Sequence, residues 1–180
     1  MFVKWVNDDE VAENLMFTMP FSRFEEEQWY NAMMEKPPSE HIFVIEVKDQ
    51  DDLNYKAIGT CQFHDINWRH RTGEVGIMIG EKSCWDQGYG TETMRLLLDH
   101  GFATLNLHRI WLQVYAKNKR GIRAYEKAGF IHEGTFRQAD YQHGRYHDIH
   151  LMSVLKDEWQ PYLSINQQRK DQNDHPTYAA

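Results

Sequence analysis

Three pieces of one stretch decide the fold: GEVGIMIG (residues 73–80), WDQGYGTETMRLLLDHGFATL (85–105) and HRIWLQVYAKNKRGIRAYEKAGF (108–130). Apolar residues run from Val75 to Ile79 between Gly73 and Gly80, which predicts a strand. Gln87-Gly88-Tyr89-Gly90-Thr91 then leads directly into a helix, with Met94, Leu97, Leu98, Gly101 and Leu105 on one stripe. Gly88 and Gly90 permit a tight turn and leave room for a ligand to touch the main chain. A helix N-terminus carries unpaired N–H groups and partial positive charge, so this turn suits an anion, most naturally a diphosphate. Taken alone, it is equally well a strand-to-helix turn that binds nothing. A P-loop is excluded, because G-x-x-x-x-G-K-[ST] is absent. A dinucleotide fingerprint is excluded because Thr93 stands where its third small residue belongs.

The downstream residues choose between these readings. Ile110, Leu112 and Val114 alternate with Trp111, Gln113 and Tyr115, predicting a second strand. Asn118 ends it and caps a helix carrying Ile122, Tyr125 and Ala128, which Gly129 closes. With Gly88-Tyr89-Gly90-Thr91-Glu92 and then Asn118-Lys119-Arg120-Gly121-Ile122-Arg123-Ala124-Tyr125-Glu126-Lys127-Ala128-Gly129-Phe130, the chain resembles the GNAT superfamily of N-acyltransferases. Within it the likeness is to the branch of ribosomal-protein alanine acetyltransferases (RimJ/RimL-like) and spermidine acetyltransferases. A weaker match continues through Glu133-Gly134 and Asp148-Ile149 to Met152, so the likeness runs from about Trp5 to Trp159. One departure is Trp85, where the family often has Gln or Arg three residues before the first glycine.

Bulk properties agree with one enzyme domain. At 180 residues the chain builds a core without disulfides or metal, and the expected division is one domain over 1–156 and a disordered tail over 157–180. A formal net charge of −7 argues against a nucleic-acid groove and is compatible with a cationic amine substrate. Two cysteines without a CxxC predict a reduced, cytoplasmic protein, and no apolar run is long enough to cross a membrane.

Elsewhere the pattern is simpler. Ser22-Arg23-Phe24-Glu25 is a capping box opening a helix to about Met34, which Pro37-Pro38 ends. Strands are predicted over 41–47 and 56–64, with turns at 48–54 and 65–72. A last hairpin of 131–138 and 145–155 follows, joined by a loop containing His143-Gly144. Relative to the family the opening MFVKWVNDDEVAEN lacks a first strand and part of a helix, so the following strand is expected to expose an unpaired sheet edge.

The resemblance implies an α+β fold with a mixed, mostly antiparallel sheet splayed at the cofactor cleft. It implies acetyl-CoA as co-substrate, with direct attack by a primary amine on the thioester. Ile77, Met78 and Ile79 then face the pantetheine arm, Gln87, Gly88, Tyr89, Gly90 and Thr91 hold the diphosphate, and Asn118 touches the coenzyme. The splay is expected between Ile79 and the strand 109–115, helped by a bulge near Gly76 or Met78.

By the same likeness Tyr125 protonates the departing thiolate, against the plainer role of core packing. Glu74 serves as base, directly or through water, against the plainer role of a strand-edge carboxylate in solvent; His64 and Asp65 are weaker candidates. Arg23, Phe24 and Tyr141 are expected to contact the acceptor, a small-molecule amine or a protein N-terminus, against the plainer roles of a solvated Arg23 and a packed Phe24, with a homodimer as the implied assembly. His143, His147 and His150 do not complete a metal site, and none is expected. The alternative function is a non-catalytic acyl-CoA-binding sensor or scaffold.

Overall fold

The computed structural model describes residues 2–16, 20–48 and 54–162. Its helices and strands are, in order, α1 (Phe2–Val6), α2 (Asp9–Ala12), α3 (Arg23–Met34), β1 (Phe43–Lys48), β2 (Tyr55–Asn67), β3 (Thr72–Ile79), α4 (Tyr89–Asp99), β4 (Arg109–Tyr115), α5 (Lys119–Ala128), β5 (Ile131–Gln142) and β6 (Arg145–Leu155). The strands make one six-stranded sheet in the order β1-β2-β3-β4-β6-β5. All neighbours are antiparallel except β3 and β4, which the α4 crossover makes parallel. This is the expected mixed α+β sheet. β1 forms one edge, with Phe43 and Val44 exposed and β2 as its partner among the described residues.

The periodicities explain the layers. Phe63, Val75, Ile110, Leu112, Met152 and Val154 point to one face of the sheet, where Met94, Leu97, Leu98 and Phe102 cover them. Beyond Asp99 the helix widens into a π turn over His100–Thr104. Gly101 lies in that turn because a Cβ there would sit 2.4 Å from Ile110 Cδ1, which brings the main chain directly onto the sheet. A smaller cluster of Trp5, Val6, Val11 and Met78 docks the N-terminal helices on the end of β3. The Trp5 ring occupies the space a Cβ on Gly80 would need, with Trp5 Cγ 2.1 Å away. The capping box forms as expected: Ser22 Oγ accepts from the Glu25 amide at 3.1 Å and Glu25 Oε2 from the Ser22 amide at 2.7 Å.

Long antiparallel pairing moves several boundaries. β2 runs on to Asn67 and β5 to Gln142, where Asp140 pairs with His147 and Gln142 with Arg145. His143 and Gly144, with φ of 51° and 79°, make a two-residue hairpin turn in place of the expected longer loop. The expected bulge near Gly76 or Met78 is not there. The β2–β3 register is regular from Gly59↔Ile79 to His64↔Glu74 and shifts only between His64 and Asn67. The one extra residue is thus on β2, where Asp65 adopts φ 38°.

Packing also continues past the expected boundary at 156. Trp159 Nε1 and the Tyr162 amide both donate to Asp99 Oδ1, at 2.8 and 2.9 Å, and the Trp159 ring lies 5.4 Å from Phe102. The rest of the expected tail, 163–180, lies outside the described residues, as does most of the expected turn at 48–54.

Candidate active site

Two strands that begin side by side and then part create the site. β3 and β4 pair at only three positions, Thr72↔Arg109, Gly73↔Ile110 and Glu74↔Trp111. Beyond Glu74 each strand keeps its other neighbour: β3 stays on β2 as far as Ile79↔Gly59, and β4 stays on β6 as far as Tyr115↔Ile149. The V between them exposes main-chain groups of both strands, which is the expected splay. Into its mouth point the N-termini of α4 and α5.

The α4 end is built for an anion. Its N-cap is Gly88, at φ 90°, and no side chain caps it. Glu92 N is the first amide to find an intrahelical acceptor, Gly88 O at 3.0 Å, so those of Tyr89, Gly90 and Thr91 face a cavity of about 210 Å³. Eight of the nine expected coenzyme contacts line it: Ile77, Met78, Ile79, Gly88, Tyr89, Gly90, Thr91 and Asn118. Gln87 does not, because its side chain turns back to donate to Ser83 O at 2.5 Å.

Motif matching did not single out the cations here. Arg120, Arg123 and Lys127, at helical spacings of three and four on α5, also line this cavity. Three positive side chains in one cleft of a chain with net charge −7 suit a polyanionic ligand. Trp85, the departure from the family pattern, has two contacts that explain it. Its Nε1 donates to Ile79 O at 2.8 Å, fastening the loop to the end of β3, and its ring carries the Arg120 guanidinium 3.6 Å from the centroid. The cation that the loop lacks is thereby supplied from α5. The 3.6 periodicity of NKRGIRAYEK carried this signal.

A second cavity, about 410 Å³, opens on the other side of the V. Thr60, Gln62 and His64 of β2, Glu74 to Met78 of β3, and Gln113 of β4 form its floor, and Phe2, Leu15, Phe21 and Trp29 its roof. The two cavities share Asn14, Leu15, Ile77, Met78, Asn118 and Tyr125. Asn14 and Leu15 come from the N-terminal segment, joined to the site only by tertiary packing.

Tyr125 stands where the cavities meet. Burial pushes its phenol up to about 12, its ring tilts against Phe130 at 6.1 Å, and its hydroxyl has no partner among the described residues. Asn118 Oδ1 accepts from the Gly121 amide at 2.9 Å, fixing the first turn of α5 and so the position of Tyr125 two turns on. Glu74 lines the second cavity. Burial raises its carboxyl above the ordinary value, a hydrogen bond from Gln113 Nε2 at 3.3 Å works against that, and the nearby Asp65 charge adds to the rise.

The three expected acceptor contacts are not brought to this cavity. Arg23 and Phe24 are exposed on the first turn of α3, with Phe24 66% exposed. Strand alternation turns Tyr141 outward against Tyr146, at 5.0 Å, while the next residue, Gln142, reaches Leu15 O at 3.3 Å. His147 Nε2 lies 3.2 Å from Gln142 O and His150 Nδ1 2.9 Å from Thr135 Oγ1. Among the described residues no cluster of three or more metal-binding side chains forms.

This geometry is that of an acyltransferase cleft, and comparison with known proteins names the family. Residues 1–131 match the acetyltransferase (GNAT) domain. The spermidine N(1)-acetyltransferase of Vibrio cholerae is 30% identical over 159 residues, 88% of each chain, and that of Escherichia coli K12 is 31% identical over 67% of this chain and 61% of its own. The crystal structure of the V. cholerae enzyme with CoA and spermine superimposes with a TM-score of 0.77 at 28% identity, covering 87% of this chain and 89% of that one. The chain belongs to the GNAT acetyltransferase family. It is an acetyl-CoA-dependent N-acetyltransferase that acts on a primary amine, and the sensor or scaffold alternative finds no support among relatives named as transferases.

Proposed function

We propose that Tyr125 is the general acid and Glu74 the base of acetyl transfer to a small-molecule amine held in the larger cavity. The observation that carries this is the meeting of the two cavities at Tyr125. Acetyl-CoA supplies an activated acyl group, and the chain's own residues place it and move two protons. The amides of Tyr89 to Thr91, with Arg120, Arg123 and Lys127, hold the diphosphate end, so that the thioester end reaches Tyr125 between β3 and β4. Glu74 takes the proton that the ammonium must lose before its nitrogen attacks the carbonyl carbon. As the carbon–sulfur bond breaks, Tyr125 Oη gives its proton to the sulfur, leaving amide and free thiol. The phenol, raised to about 12, stays protonated at every physiological pH. A carboxylate whose pKa is raised by burial is a stronger base than an exposed one.

The cavity's size, about 410 Å³, favours a small molecule over a protein N-terminus. The free thiols Cys61 and Cys84 and the lack of a membrane-crossing helix among the described residues favour a cytoplasmic setting. The test follows thiol release against pH. With wild type, kcat/KM rises as Glu74 ionises, at a pH above the ordinary value for a carboxylate, and falls again as the free amine loses the proton that Glu74 is there to take. In Glu74→Gln the acidic limb is lost and the rate falls ~10²–10⁴-fold. Retention of the acidic limb in the variant removes Glu74 from the role.

A further inference from the structure

We propose that the acceptor carries a single ammonium on an apolar or aromatic body, and that Gln62 and His64, paired over Gly76 and facing Glu74, turn polycationic amines away. The proposal rests on the reading of the larger cavity as the acceptor site. Among its described lining residues Glu74 is the one carboxylate, and its polar companions on β2 and β4, Gln62, His64 and Gln113, bring no negative charge.

Residues two apart on a strand share a face, so Gln62 and His64 of β2 both point into the cavity. Gln62 Nε2 lies 2.8 Å from His64 Nδ1, which makes that nitrogen an acceptor. The other ring nitrogen, Nε2, lies 2.4 Å from where a Cβ on Gly76 would be, so the imidazole points its Nε2 edge into the space left by a position that has no side chain. Burial disfavours the imidazolium, and the Lys36 charge acts in the same direction. The floor is thus an amide and a neutral ring.

Of the charges outside the lining, Asp65 acts on Glu74 and Lys36 on His64, with opposite signs. Glu26, on the same helix as Trp29, is held through Oε1 by the Val3 amide at 3.1 Å and is not among the residues that line the cavity. One cation is therefore balanced, and a second or third ammonium entering this site loses water without gaining a carboxylate. The roof offers apolar surface instead: Phe2 and Trp29 stack at 4.7 Å with 8° between their planes, and Phe21 completes it. The relatives named for spermidine mark the contrast.

The test measures acetyl-CoA-dependent thiol release by the full chain with 2-phenylethylamine and aliphatic monoamines against putrescine and spermidine. Calorimetric binding of the same amines to the protein–CoA complex is measured alongside. The expected result is a kcat/KM at least ~10-fold higher for the best monoamine, with the same order in binding. Gln62→Glu, which adds a carboxylate to the floor, narrows that preference ~10-fold by raising activity on spermidine. A kcat/KM for spermidine equal to or above that of every monoamine overturns the proposal and leaves acetyl transfer intact. Calorimetry showing CoA bound but no amine taken up, and no thiol released, overturns the acceptor-site reading beneath it.

Discussion

Tyr125→Phe is expected to lower kcat by ~10²–10⁴-fold while leaving the affinity for acetyl-CoA essentially unchanged. The substitution removes one oxygen and keeps the ring that packs on Phe130. Both cavities retain their walls, because the side chain's apolar atoms stay in place. What is lost is the proton for the departing sulfur, so the deficit belongs to the chemical step. It should shrink with acyl donors whose thiols have lower pKa values, since these leave without help. Single-turnover kinetics with such donors, beside calorimetry for the cofactor, check both parts. A turnover number equal to wild type assigns Tyr125 to packing alone.

The second large effect is on binding. Gly90→Val should weaken acetyl-CoA by ~10–100-fold, the equivalent of about 1–3 kcal/mol of crowding. The protein itself has room: the nearest atom to a Cβ at position 90 is Ala124 Cβ, 4.0 Å away. Gly90 is not at positive φ, and valine is a slightly better helix former than glycine, so the first turn of α4 loses nothing in propensity. The thermal midpoint without cofactor therefore stays close to wild type, and the loss of affinity reports the ligand's approach to the main chain. Wild-type affinity in calorimetry would show that the diphosphate does not pass over Gly90.

Much of the frame was legible because it is local. The strand–glycine turn–helix of 75–98 and the Asn118-capped helix follow from apolar periodicity and capping chemistry that neighbouring residues settle among themselves. The splay was legible only through family likeness, since its cause is which neighbour each strand keeps. What could not be read is mostly long-range. The π turn after Asp99 depends on Gly101 meeting Ile110, and the Trp85–Arg120 contact joins a loop to a helix beyond another strand.

The acceptor side was the least legible part of the site. Arg23, Phe24 and Tyr141 belong to segments near the cleft in sequence logic, but helix phase and strand alternation turn them outward. Phe2, Asn14, Leu15 and Trp29 line the cavity instead, brought there by docking of the N-terminal helices through Trp5 and Val6. No local pattern marks such residues, because only the packed molecule defines the surface they share.

A crystal structure of this protein with coenzyme A tests the central claim most directly. The account predicts the diphosphate on the amides of Tyr89, Gly90 and Thr91, the pantetheine arm between β3 and β4, and the sulfur within hydrogen-bond distance of Tyr125 Oη. A diphosphate bound elsewhere, or a sulfur directed away from that oxygen, contradicts it.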